Sequence, residues 1–262
     1  MTLYQKLFGK KKIVIGMVHL AALPGSPAYD GDLEKVFAAA KKDLLNLEKG
    51  GADAVIIENF NDVPYPSSNE MMTYIAMTSL VTRLRPLTKL PVGINVQYNI
   101  TEAEWDIAYA CGCDFIRCEV FAETRVGPNG IFEPAGPSLM RLRARYPKDI
   151  AIFADVNVKH TFPLVDQPLD FTIDSLKESG VDAIISSGMT TGCPPTLEEA
   201  QLVKKYAGDT PVIIGSGVNV KNVKDFFGVI DGAIIGSSLK KDGNVLNEID
   251  INRVRKMMNA VR

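Results

Sequence analysis

The chain is poor in the residues that would commit it to a metal, a membrane or a nucleic acid. Its 262 residues include only four cysteines, two histidines and one tryptophan. Cys111 and Cys113 are separated by a single glycine and have no histidine nearby. Structural zinc sites use the wider C-x₂₋₄-C spacing with a second ligand pair, so zinc is not expected. Reduced, buried thiols and a cytoplasmic location are the expectation. No apolar stretch approaches the roughly 20 residues needed to cross a bilayer, so no transmembrane segment is expected. The start lacks the order of a secretion signal, because the basic cluster "KLFGKKK" (Lys6 to Lys12) precedes only a short apolar run. No amphipathic apolar face accompanies that cluster, and residues 1–11 read as a solvated N-terminal tail. The net charge of −2 exerts no global pull on nucleic acid or anionic lipid. A basic stripe and an aromatic stacking motif, the marks of a nucleic-acid binder, are both missing.

What the chain does have is a core and a rhythm. It is 46% hydrophobic and 23% charged, and a chain of this length buries roughly three quarters of its unfolded surface without staples. Eight apolar runs have the character of strands: "KIVIGMV", "DAVIIE", "PVGINVQ", "DFIRCEV", "IAIFADVNV", "DAIISSG", "PVIIGSG" and "GAIIGSS". Between them lie helical stretches. In "DLEKVFAAAKKDLLNLEKGG", Leu33, Val36, Phe37, Ala40, Leu44 and Leu47 fall at three- and four-residue steps, the stripe of a helix packed on a sheet. Gly50–Gly51 supplies its stop. Further helices are expected over Asn69–Leu84, Thr101–Ala110, Pro137–Tyr146, Phe171–Ser179, Thr196–Tyr206, Val220–Phe227 and Ile251–Val261. Strands alternating with helices imply parallel pairing, and eight such units predict a single α/β domain over residues 1–262, a (β/α)₈ TIM barrel. A doubly wound open sheet is the alternative. Connections from helix to strand are terse, whereas several from strand to helix are long: His19–Asp32, Asn59–Ser68, Phe121–Gly136, Lys159–Asp170 and Gly188–Pro195. In a barrel these long loops gather on the C-terminal face, where sites are built.

Alternation along the strands sends polar groups inward. Arg117 and Glu119 oppose Ile116, Cys118 and Val120; Asn95 and Gln97 oppose Val92, Ile94 and Val96; Asp155, Asn157 and Lys159 oppose Ala154, Val156 and Val158. His19 and Glu58 close the first two strands. Desolvating so many polar groups costs several kcal/mol each unless they are paired, a cost suited to a pocket. The catalytic candidates are therefore His19, Glu58, Arg117, Glu119, Asp155 and Lys159. Glu58, Glu119 and Asp155 would serve as general bases or as ligands for a hard cation such as Mg²⁺, and no organic cofactor is implied. Lys159 would neutralise an anion or form a Schiff base. Asn95, Gln97, Asn157, His160, Ser187 and Thr191 complete the candidate ligand-binding set. The glycine-rich ends "GSGVNV" and "GSSLK" close the seventh and eighth strands, where barrels bind phosphate on backbone N–H groups. Gly215, Ser216, Gly217, Val218, Gly236 and Ser237 are the candidate phosphate-binding residues.

The blocks "VIGMVHLAALPGSP" (Val14–Pro27), "GADAVIIENFNDVPY" (Gly51–Tyr65), "FADVNVKH" (Phe153–His160), "SGMTTGCPP" (Ser187–Pro195), "VIIGSGVNVKNV" (Val212–Val223) and "DGAIIGSSLKKDG" (Asp231–Gly243) resemble the signature blocks of the BtpA family, which includes the SgcQ proteins. The resemblance implies the ribulose-phosphate-binding barrel class and hence a phosphorylated ligand. The family takes its name from a role in photosystem I biogenesis, and relatives without photosynthesis look like parts of carbohydrate-related gene clusters. Two functions follow as expectations. One is an enzyme acting on a small phosphorylated metabolite as an isomerase, epimerase or aldolase-like lyase. The other is a non-catalytic assembly factor, for photosystem I or another membrane complex. Barrels of this type commonly pair, so a homo-oligomer is expected.

Overall fold

The structure is a computed structural model and describes residues 2–9, 12–66, 70–188 and 192–262. Eight parallel strands close into a barrel: β1 (Ile13–His19), β2 (Ala54–Glu58), β3 (Val92–Asn95), β4 (Phe115–Cys118), β7 (Ala151–Asp155), β9 (Ala183–Ser186), β10 (Val212–Ile214) and β11 (Gly232–Ile235). Each matches one of the eight apolar runs. Around the barrel run α2 (Leu33–Gly50), α3 (Met71–Leu84), α4 (Thr101–Cys111), α5 (Gly136–Arg145), α6 (Leu169–Glu178), α7 (Leu197–Ala207), α8 (Val223–Phe227) and α9 (Ile251–Val261). This is the single (β/α)₈ barrel that the alternation implies, not an open sheet.

Period-two alternation splits the apolar residues into two cores. Ile13, Ile15, Ile56, Phe115, Phe153, Ile185, Ile213 and Ile234 fill the barrel. Their neighbours Val14, Val55, Ile57, Ile94, Ile116 and Ile184 pack with Leu44 and Leu47 of α2 and the other helices. Gly93 is required inside: a Cβ there would lie 2.2 Å from the Phe115 ring. Helix ends follow their chemistry. Asp32 accepts from Lys35 N at the start of α2, and Gly51 ends it with φ 92°. Thr196 and Glu199 form a capping box on α7.

The N-terminal tail needs correction. Residues Leu3–Phe8 form a helix, α1, with Thr2 and Gln5 as a capping box. Tyr4 and Phe8, one helical turn apart, are buried against Phe115 and Phe153 and close the N-terminal end of the barrel. Leu3 N donates to Asp182 Oδ1 and Tyr4 Oη to the Asp231 carbonyl, which docks the helix on the strand starts. Lys6, on the opposite side, stays exposed.

At the other end a small antiparallel sheet forms from β5 (Arg125–Gly127), β6 (Gly130–Phe132) and β8 (Phe162–Pro163). Phe132 packs with Val120, Val158 and Tyr98, and Arg125 is buried with its Nε on Thr161 Oγ1. Among the described residues, no helix is long and apolar enough to cross a membrane.

Candidate functional site

Strand register brings the polar strand ends to one level. His19 is paired with Glu58 across β1 and β2, and Glu58 with Asn95 across β2 and β3. Above them opens a cavity of about 220 Å³ at the C-terminal end of the barrel. Its wall carries His19, Glu58, Gln97, Arg117, Glu119, Asp155, Lys159 and His160, together with Gly215, Ser216, Gly217, Gly236 and Ser237. All six catalytic candidates therefore converge.

Two hydrogen-bonded systems divide the charged groups. In the first, Arg117 grips Asp155 through two bonds, Nε to Oδ1 at 3.0 Å and Nη2 to Oδ2 at 2.8 Å. Ser187 Oγ adds a third bond to Asp155 Oδ2 at 2.8 Å. Such a bidentate pair has the geometry needed to hold a buried charge. Burial opposes the Arg117 charge, but Asp155, together with Glu119 and Glu58, outweighs it and keeps the guanidinium above its ordinary value. Gly215 makes this possible, since a Cβ there would lie 2.3 Å from Ser187 Oγ and 3.5 Å from Arg117 Nη2.

The second system strings carboxyls together with amides. Gln97 Nε2 donates to Glu58 Oε1 at 2.8 Å and to Glu119 Oε1 at 3.1 Å. Asn95 Nδ2 donates to Glu119 Oε1 at 2.8 Å and to Glu104 Oε1 at 2.9 Å. His19 Nε2 stands 3.3 Å from Glu58 Oε2, and its ring stacks on Phe60 with centroids 4.2 Å apart. Burial, with Lys240 and Lys159 adding repulsion, lowers the His19 pKa to about 3. The imidazole is thus neutral and faces the Glu58 carboxyl across that gap. Burial raises Glu58 against the pull of Arg117 and Gln97. Burial likewise pushes Glu119 up to about 7, with Arg117 and Asn95 opposing. Burial, then repulsion from Arg117, lowers Lys159 to about 8. One cavity therefore holds an acid and a base that both change charge near neutrality.

Lys159 Nζ donates to the Gly215 carbonyl at 3.1 Å, which sets the amine against the glycine turns. At these turns the backbone N–H groups of Ser216, Gly217, Val218, Ser237 and Ser238 meet no acceptor among the described residues. Gly217 has φ 72° and abuts Pro194, where a Cβ would lie 2.1 Å from the proline nitrogen. Free N–H groups in such turns form concave anion sites. Ser216 Oγ is already used, donating to the Cys193 carbonyl, whereas the Ser237 hydroxyl has no partner among the described residues.

Four candidates, Asn157, Val218, Asn95 and Ser187, are not among the residues lining the cavity. Asn157 is exposed beside Glu123 and Arg125, outside the cavity, because β7 ends at Asp155 and the alternation ends with it. The Val218 side chain packs into the outer core, so only its backbone could serve a ligand. Asn95 and Ser187 lie behind the wall and orient Glu119 and Asp155. Thr191 lies outside the described residues. The carboxylates proposed for Mg²⁺ are each engaged by other groups: Asp155 by Arg117, Glu58 by Gln97, and Glu119 by the Asn95 and Gln97 amides. Among the described residues, no three His, Cys, Asp or Glu side chains form a metal-binding group. Phe60, Tyr65 and Tyr98, which line the cavity, and Glu104, fully buried behind it, were not anticipated. Phe60, Tyr65 and Tyr98 lie in loops without a periodic signal, and Glu104 lies on α4, whose helical pattern does not show that it faces the strand ends.

A closed eight-stranded parallel barrel with its charged cavity at the carboxyl ends of the strands defines a TIM-barrel protein with the site position typical of that fold. The chain belongs to the BtpA family, whose sequence profile matches residues 10–262. The photosystem I biogenesis protein BtpA of Synechocystis is 39% identical over 250 residues, covering 95% of this chain and 87% of that one. The protein TK2179 of Thermococcus kodakarensis is 38% identical over 253 residues, 97% of this chain and 96% of that one. Among solved structures, N-(5'-phosphoribosyl)anthranilate isomerase from Pyrococcus furiosus superposes with a TM-score of 0.56 at 14% identity. That match covers 95% of this chain and 98% of the other, a likeness of fold.

Proposed function

We propose that the protein is an enzyme that moves a proton on a small phosphorylated metabolite, with the phosphate held on the glycine turns. The observation that carries this reading is the pairing, in one cavity, of Glu119, pushed up to about 7, and Lys159, lowered to about 8, with backbone N–H groups beside Gly217 and Ser237 that meet no acceptor among the described residues. A general acid–base works best with a pKa near the operating pH, and Glu119 meets that condition. Lys159, next to Gly215, supplies positive charge to an oxyanion that develops near the phosphate end. The Arg117–Asp155 pair lines the same cavity. Proton transfer next to a carbonyl is the step shared by isomerases, epimerases and aldolase-like lyases.

The test is solvent exchange. Aldose and ketose phosphates incubated with the protein in ²H₂O are expected to gain deuterium next to the carbonyl, read by ¹H NMR, and Glu119→Gln is expected to abolish it. Borohydride trapping with mass spectrometry then separates the two roles of Lys159: an adduct marks a Schiff base, its absence an electrostatic role. No exchange with any member of a broad panel would overturn the proposal.

The name of the Synechocystis relative supports a second reading, a non-catalytic assembly factor. In that case an Asp155→Asn, Lys159→Met double variant keeps full function in cells. The desolvated charges argue for chemistry, because a scaffold gains nothing from burying them.

A further inference from the structure

Beside the main cavity lies a second hollow of about 540 Å³, lined by Asn219, Val220, Lys221, Ser237, Ser238, Gly243, Arg253 and Lys256. Three of the eight lining residues are cations and none is acidic. Lys221 follows the β10 turn, whereas Arg253 and Lys256 stand three residues apart on α9 and so share a face. Among the described residues no carboxylate pairs with any of the three. Arg253 is the most constrained: half-buried, it donates from Nη1 to the Ser238 carbonyl at 3.3 Å, which anchors the guanidinium on the hollow's wall. Other cations at the surface do meet acids, as in Arg83–Glu34 and Lys204–Asp231. Like charges left together at a concavity repel one another, and a bound anion removes that cost. Ser237, whose hydroxyl has no partner among the described residues, lines both this hollow and the main cavity, so the two adjoin at that residue.

We propose that the basic hollow is a second phosphoryl-group subsite and that the ligand of the main cavity carries two phosphoryl groups. This rests on the reading of the glycine turns as the first subsite. The recognition differs in kind at the two places. The glycine turns offer backbone N–H groups, which fix position at close range. The hollow offers Arg253, whose planar fork suits phosphoryl oxygens, and two lysines that act as mobile point charges. A doubly phosphorylated metabolite would then lie across Ser237, with one phosphoryl group on each side of it.

Crystals of the full chain soaked in tungstate, together with calorimetric titration of ribose 5-phosphate and ribose 1,5-bisphosphate, test this. Tungstate is expected both at the Gly217 and Ser237 turns and among Lys221, Arg253 and Lys256. The bisphosphate is expected to bind about tenfold tighter than the monophosphate, from added charge-assisted contacts that are partly exposed. An Arg253→Gln, Lys256→Gln double variant is expected to erase that advantage and leave monophosphate affinity unchanged. Tungstate at the glycine turns alone, or an undiminished bisphosphate preference in the variant, overturns the second subsite and leaves the first intact. Tungstate in the hollow alone overturns the glycine-turn reading while the hollow stands as a site for a separate phosphate. Neither site occupied overturns both.

Discussion

The two ends of the barrel are made by the same eight strands and have opposite chemistry. At the N-terminal end, Phe115 and Phe153 stack with centroids 4.7 Å apart and α1 seals them with Tyr4 and Phe8. Two residues further along the same strands, Arg117 and Asp155 replace the aromatic pair and bond to each other. One step of the period-two alternation therefore takes a strand from dispersion packing to a desolvated ion pair. The lower end needs only apolar surface of the right shape. The upper end needs a partner for every charge, which makes it fragile as well as reactive.

The difference is sharpest when one partner at the top is removed. Arg117→Met strands the Asp155 carboxylate, and a loss of about 3–5 kcal/mol is expected in denaturant unfolding. Replacing both partners, Arg117→Met with Asp155→Leu, is expected to restore most of it. If the double variant is no more stable than the single one, the pair is not a closed unit.

At the lower end the expected loss is smaller and has no rescue partner. Phe8→Ala removes one ring of the seal and is expected to cost about 3 kcal/mol, read by thermal unfolding. The effect should be the same at pH 5 and pH 8, because no charge changes there.

Glu119→Gln turns the comparison into a pH experiment. Glu119 keeps its proton up to about 7 when folded, against an ordinary value of 4.5. Between those values the folded chain binds more protons than the unfolded one, so this residue makes stability fall as pH rises. The variant is expected to match the parent closely at pH 4.5 and to melt several degrees higher at pH 8. Equal melting at both pH values would show that the carboxyl is not held protonated. The smallest effect belongs to the surface: Lys6→Ala, on the solvent side of α1, is expected to stay within about 0.5 kcal/mol despite its ion pair with Asp149.

Much of the barrel was legible in the chain because its signals are local. Each strand has its own apolar run, and Gly51, Asp32 and Thr196 mark helix ends within a few residues. The inward direction of Arg117 and Glu119 follows from the same local alternation. That rule carried no further than the strand: past Asp155 the chain bends, and Asn157 turns out to solvent while Lys159 enters the cavity. The seal at the bottom was hidden because Tyr4 and Phe8 make a short stripe among lysines, too short to signal a helix without the barrel it covers. In the small sheet β5 and β6 pair locally, but β8 joins β5 from some 36 residues away, so it has no partner until the fold is closed.

The order of residues by itself determined the eightfold alternation, the inward-facing charges and the paired glycine turns, since each depends on neighbours one to four positions away. Only the tertiary structure decided which charges meet. It gave Arg117 to Asp155, tied Glu119 to Glu58 and Glu104 through two amides, and placed Lys159 against Gly215. Those pairings set the pKa values, because electrostatic energy depends on distance and burial and not on separation along the chain.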